Sequence, residues 1–280
     1  MSVDALEREI RAAVDDPPGD ADARAVVERL LLALEAGTAR AAEPDGDGGW
    51  RVHRWVKQGI LLGFRVGKNL PVGDGRTLPF RDRDTFPLWD PNRTERDVRI
   101  VPGGSAVRRG AFVGDGVVLM PPSYVNVGAY VGAGSMIDSH ALVGSCAQVG
   151  ANVHVSAAAQ IGGVLEPIGA LPVVVEDEAF LGGGCGVYEG TRIGRGAVLG
   201  AGVILTRRTP VYDLVEGTIR RAGGDGEPLV IPDRAVVVPG SRPARGAFAE
   251  REGIHLHAPV IAKYRDARTD AAAALEEALR

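Results

Sequence analysis

Three carboxylates and two histidines stand out in a glycine-rich stretch of this 280-residue chain: Asp138 in "IDSHAL", Glu189 in "VYEGTR", Glu166 in "GGVLEP", His140 and His154. A carboxylate set into such a stretch can do acid–base work. It can also cap a turn, as Asp138 would, stand solvated at a corner, as Glu189 would, or open a loop, as Glu166 would before Pro167. Metal chemistry is disfavoured. His140 and His154 hold different places in their repeats, and His53, His255 and His257 lie outside them, so no three-ligand set forms. Cys146 and Cys185 form no CxxC pair, and Cys185 reads as a small core residue.

The element that must position these residues counts in sixes. From Val107 the chain divides into VRRGAF, VGDGVV, LMPPSY, VNVGAY, VGAGSM, IDSHAL, VGSCAQ, VGANVH, VSAAAQ and IGGVLE. After the interruption "PIGALPVV" (167–174) the count resumes as VEDEAF, LGGGCG, VYEGTR, IGRGAV, LGAGVI and LTRRTP. All sixteen hexads begin with Val, Ile or Leu, and twelve carry Ala, Ser, Thr or Cys at the fifth position. A sustained hexapeptide repeat indicates a parallel β-helix solenoid. Each hexad makes one flat strand and one turn, three hexads close a coil, and coils stack at about 4.8 Å. The first residue points inward, and the fifth points inward where only a small side chain fits. Glycines at the second and fourth positions permit tight, left-handed turns.

The flanks differ. Residues 4–15 and 22–37 read as amphipathic helices, 41–49 as loop, 50–67 as a third helix with an aromatic start, and 68–98 as an extended connector. After Pro210 the period is lost; 211–243 read as strands and turns, 258–266 as a strand and 269–280 as a capping helix. The expected domains are a helical part with its connector (1–98), the β-helix (99–212) and a small C-terminal β/α extension (213–280). Net charge is −4, which gives no basic field for nucleic acid. The strongest apolar run, "GILLGF", is too short to cross a bilayer, and the charged start does not read as a signal peptide. A cytoplasmic protein with no membrane or nucleic-acid partner is the expectation.

The blocks "LMPPSYVNVGAYVGAGSMIDSHALVGSCAQVGANVHVS", "IGGVLEP", "WRVHRWVKQGILLGFRVGKN", "RIVPGGSAVRRGAFVG", "VVVEDEAFLGGG" and "VYEGTRIG" resemble the tetrahydrodipicolinate N-succinyltransferase family. The resemblance spans most of residues 50–240. It implies a mainly β, left-handed β-helix with an N-terminal helical domain, assembled as a homotrimer with active sites between subunits. It implies succinyl-CoA as co-substrate, no tightly bound cofactor and no metal. The acceptor would be a cyclic imine dicarboxylate that opens by hydration to an amine. On this resemblance Asp138 binds and deprotonates the amine, and Glu189 assists from the neighbouring subunit. Arg99 and a second arginine, Arg108, would hold the carboxylates. Lys263, Arg265, Arg207 and Arg208 are candidates for the CoA phosphates by position.

The sequence departs from the family pattern at several points. His140 replaces a tryptophan, Ala157 and Ala158 replace two glycines, Gly186 stands where many members have a glutamate, and a proline is added in "LMPPSY". "LPVVVEDE" echoes a related family that uses acetyl-CoA, whereas the helical N-terminal part favours succinyl. A paralogue acting on another amino dicarboxylate and a non-catalytic assembly solenoid are the competing expectations.

Overall fold

The structure, a computed structural model, describes residues 2–73, 79–224 and 226–266; the helix expected over 269–280 lies outside them. The hexads become two-residue strands built from a sixth and a first position, such as Met136–Ile137 and Leu142–Val143. First-position side chains from Val113 to Leu205 are buried in one continuous core, together with fifth-position residues such as Ala129, Ala147 and Cys185. The inward assignments read from the repeat therefore hold.

Successive strands pass to three parallel sheets in rotation. Sheet I runs from Ala106–Val107 through Leu142–Val143 and Gly186–Val187 to Ile204–Leu205. Sheet II runs from Phe112–Val113 to Leu229–Ile231, and the parallel part of sheet III from Arg99–Ile100 to Ala235–Val238. Met136 pairs with His154 and Leu142 with Gln160, so the chain returns to each sheet after 18 residues. Gln160 pairs with Gly186, and this span of 26 residues absorbs the eight residues 167–174. Two strands from the 213–280 segment, Leu229–Ile231 and Ala235–Val238, continue the stack in parallel.

The two glycine positions do different work. The fourth position adopts positive φ, as at Gly134 (70°) and Gly190 (68°), but His140, Cys146, Asn152, Ala158 and Glu178 adopt it too. The second position needs the absence of a side chain. A Cβ on Gly132 would stand 2.5 Å from the Gly150 carbonyl carbon, and one on Gly144 2.1 Å from the Gly163 nitrogen, because successive turns lie back to back.

At the N-terminus, helices α1 (Val3–Asp15), α2 (Asp20–Glu35) and α3 (Arg54–Val66) share a core of Leu6, Ile10, Leu30, Leu31, Trp55 and Ile60. They meet at Gly59, where a Cβ would come within 2.5 Å of Leu30 and 2.9 Å of Ile10. This core reaches Val127 and Cys146 of the repeat. Beside it Arg96, Phe112, Tyr130 and Arg40 form a cation–aromatic ladder, with the two rings stacked at 4.4 Å.

The third helix is shorter than the sequence suggested. Trp50–Val52 is a strand paired antiparallel with Ala42–Pro44, because Asp45 Oδ1 accepts from the Asp47 and Gly49 N–H groups and closes a tight turn. The connector also holds an antiparallel pair, Asn69–Val72 with Phe80–Arg83. Beyond the stack, Val260–Tyr264 pairs antiparallel with Ala235–Val238 and parallel with Val211–Asp213.

Candidate active site

Asp138 follows strand Met136–Ile137 of sheet III and sits in the turn leading to Leu142–Val143 of sheet I. It takes the second hexad place, the place glycine fills at Gly132 and Gly144. Its backbone N–H donates to the Val155 carbonyl at 2.9 Å. The half-buried carboxylate accepts the Ser139 N–H through Oδ1 at 2.7 Å, so the turn-capping role is real. Oδ2 has no hydrogen-bond partner among the described residues. One oxygen thus fixes the group, and the other is open to a donor. His140 lies two residues on in the left-handed conformation (φ 63°), exposed, its N–H bonded to the Pro122 carbonyl at 2.5 Å. His154 packs at a tilt against Phe180 instead, with ring centroids 5.1 Å apart.

Glu189 is exposed and follows Gly186–Val187 of sheet I, in the turn to sheet II. Its carboxylate makes no ion pair or hydrogen bond with the described residues. It lines a cleft of about 570 Å³ with Arg207 and Arg208, walled on the other side by Pro167, Gly169, Ala170 and Leu171 of the interruption. Arg207 spans this region, donating to the Glu227 and Gly224 carbonyls at 3.0 and 2.6 Å. Arg208 is exposed.

The structure therefore brings Glu189, Arg207 and Arg208 together and leaves the other sequence candidates apart. Arg99 is exposed on the first strand of sheet III. Arg108 occupies the turn from sheet I to sheet II but is bound to Asp82 of the connector, lies 3.4 Å from Asn126 Oδ1 and sits over the Phe64 and Phe86 rings. Lys263 lies on the strand Val260–Tyr264, opposite Val236, and Arg265 follows that strand, its guanidinium beside Gly196.

Two residues near this cleft were not singled out by the sequence. Tyr188 lies across Gly162 and Gly186: a Cβ on Gly186 would stand 2.7 Å from the ring and 3.0 Å from the hydroxyl. The phenol thus occupies the space above the glycine. A glycine two places before an aromatic on one strand face is the signal that could have shown it. Lys57 of α3 is fully buried and donates to the Ala170 carbonyl at 2.5 Å. Burial holds its ammonium below the usual lysine range. A lysine 113 residues from its partner leaves no local trace.

Comparison with known proteins agrees with this architecture. Residues 6–66 match the N-terminal domain of tetrahydrodipicolinate N-succinyltransferase, and residues 172–207 match the hexapeptide repeat of succinyl-transferase. A 2,3,4,5-tetrahydropyridine-2,6-dicarboxylate N-succinyltransferase of Polynucleobacter asymbioticus is 44% identical, covering 97% of this chain and 95% of the relative. One from Xylella fastidiosa is 42% identical over 92% and 88%. One from Bradyrhizobium diazoefficiens is 40% identical over the full length of both. A repeat of this kind, matched from end to end by transferases, defines a hexapeptide-repeat acyltransferase. Within that class the chain belongs to the tetrahydrodipicolinate N-succinyltransferase family. Among the described residues no helix is long and apolar enough to cross a membrane.

Proposed function

We propose that this chain transfers the succinyl group of succinyl-CoA to the amine of hydrated, ring-opened tetrahydrodipicolinate, in the diaminopimelate and lysine pathway. The observation that carries the reading is identity of 40–44% along the whole chain to relatives of that name. The fold is read as a left-handed β-helix, and the working unit as a cytoplasmic homotrimer with each site between two subunits.

Asp138 holds the amine and takes its proton through Oδ2, freeing the nitrogen lone pair to attack the thioester carbonyl. The developing oxyanion is met by backbone N–H groups of a turn. The C–S bond then breaks, the amide forms, and CoA leaves as the thiol. Glu189, from the neighbouring subunit, orients the amine. Arg99 holds an acceptor carboxylate as a forked donor; Arg108 can do so only by exchanging Asp82. Arg207, Arg208, Lys263 and Arg265 supply positive charge for the CoA phosphates. No tightly bound cofactor or metal enters the reaction.

The test is thiol release from succinyl-CoA and from acetyl-CoA, each with and without L-2-aminopimelate, for wild type beside Asp138→Asn. The expected result is release that needs aminopimelate, prefers succinyl-CoA and falls about 10²–10⁴-fold in the variant. Preference for acetyl-CoA, the donor suggested by "LPVVVEDE", would keep the site and change the donor. No release with either, from folded protein, would overturn the acceptor.

A further inference from the structure

The wall of the cleft opposite Glu189 is not part of the repeat. It is the interruption, which leaves the ladder after the Val164 N–H bonds the Ser145 carbonyl at 3.0 Å. Within it the Ala170 N–H bonds the Pro167 carbonyl at 2.9 Å. Neither bond fixes its distance from the opposite wall.

Helix α3 does. Arg54, Lys57, Gln58, Leu61 and Arg65 recur at helical spacing on one face, and that face meets the interruption. The Arg54 guanidinium lies 3.8 Å from where a Cβ on Gly169 would stand. Gln58, Leu61 and Arg65 line one small pocket with Ile168. Leu165 packs against the helical core. At the centre, the fully buried Lys57 ammonium donates to the Ala170 carbonyl, its one hydrogen-bond acceptor among the described residues. A lysine with no carboxylate partner is a poor choice for stability alone, since desolvating the charge is costly and methionine would fill the same space. What lysine adds is a directed donor at the tip of a long stem, reaching one carbonyl of one loop.

We infer that Lys57 is a positioning residue: through the Ala170 carbonyl it sets residues 167–172 against Glu189, Arg207 and Arg208 and so fixes the width of the cleft that seats the acyl-CoA. This rests on the proposed role of Arg207 and Arg208, which line the cleft, in holding the CoA phosphates. It gives the helical domain a role at a site to which α3 contributes no lining residue.

The test compares wild type, Lys57→Met and Lys57→Arg by amide hydrogen exchange and steady-state kinetics, with Arg207→Ala and Arg208→Ala as cleft controls. In wild type, peptides covering 167–172 exchange slowly. In Lys57→Met they exchange about tenfold faster while peptides from α3 are unchanged, KM for succinyl-CoA rises about tenfold, and kcat stays within about twofold. Lys57→Arg, which keeps a donor, restores part of both.

Fast exchange of 167–172 in wild type, or unchanged exchange in Lys57→Met, would overturn the tether. Faster exchange with unaltered KM, while the cleft controls are impaired, would overturn the positioning role and leave the cleft standing. Faster exchange with KM unaltered in Lys57→Met and in both controls would remove the donor from the cleft altogether. If Lys57→Met does not fold, the wild-type exchange and Lys57→Arg carry the test.

Discussion

Asp138 and Glu189 stand on opposite edges of the same parallel sheet: Asp138 in the turn that enters strand Leu142–Val143, Glu189 in the turn that leaves Gly186–Val187. Two side chains on opposite edges of one sheet do not close on one substrate atom. A site that uses both needs a second copy of the chain. Subunit complementation follows. Asp138→Asn and Glu189→Gln should each be nearly inactive alone. Unfolded together and refolded as a mixture, they should recover about a quarter of wild-type activity, the statistical share of interfaces with both carboxylates intact. A mixture no more active than its parents would mean the two residues do not share a site.

The glycine columns predict two different stability losses. In Gly144→Ala the new methyl meets backbone, with the Gly163 nitrogen at 2.1 Å and its Cα at 2.5 Å. No side chain can swing away, so two turns must part, at about 3 kcal/mol. Gly184 has φ 67° and nothing within 4 Å of its Cβ position, so Gly184→Ala meets only backbone strain, about 1 kcal/mol. Ala158 already bears that strain at φ 59°, and Ala158→Gly should relieve it by a similar amount. Urea midpoints of the three variants check the order. Equal losses in Gly144→Ala and Gly184→Ala would refute the division of labour between second and fourth positions.

The repeat was legible because its period is short and its inward places are chemically narrow. Val131, Ile137 and Val143 need only a branched side chain every six residues, and Cys185 falls in a small inward slot and is buried there. The meaning of the second-place glycines was not legible. Sequence alone cannot separate a residue that needs positive φ from one that needs no Cβ, and His140, Cys146 and Asn152 show that the fourth place tolerates side chains. The short strand Trp50–Val52 read as helix because its partner, Ala42–Pro44, is held by an aspartate turn rather than by a pattern. At the site, Glu189 was visible as a polar break in the hexads and Arg207 and Arg208 were candidates by position; the three fall into one cleft. The Lys57–Ala170 contact was not, because it joins elements with no shared period.

Both cysteines should be silent to thiol reagents. Cys146 and Cys185 are fully buried, and burial pushes their thiols up to about 12 and about 11. The thiolate is the reactive form, and at pH 8 almost none of it exists or meets solvent. Titration with a chromogenic disulfide should count no thiols in the native protein and two after denaturation. A fast-reacting thiol in native protein would contradict the packing of the core. The same silence gives a thiol-release assay no background from the enzyme.

The C-terminal strand is held by a buried carboxylate whose contribution depends on pH in a definite direction. Asp213, fully buried, accepts from the Tyr264 hydroxyl at 2.6 Å, Arg220 Nε at 2.9 Å and the Glu216 N–H at 3.1 Å. Burial alone would push this group up. The Tyr264 hydroxyl, the Glu216 N–H and the Arg220 guanidinium outweigh it and hold Asp213 below its ordinary value of 3.8. A depressed carboxylate stabilises the fold above its unfolded-state pKa and loses that contribution as pH falls through the folded one. The contribution is therefore whole at neutral pH and declines only below about pH 3.8. Asp213→Asn removes the charge and leaves Arg220 without its partner, which should lower stability by about 3 kcal/mol at pH 7. Urea midpoints at pH 7 and pH 3 should show the gap between wild type and variant wide at the first and narrowed at the second. A gap that stays constant would mean that the hydrogen bonds to Asp213 serve its shape and not its charge.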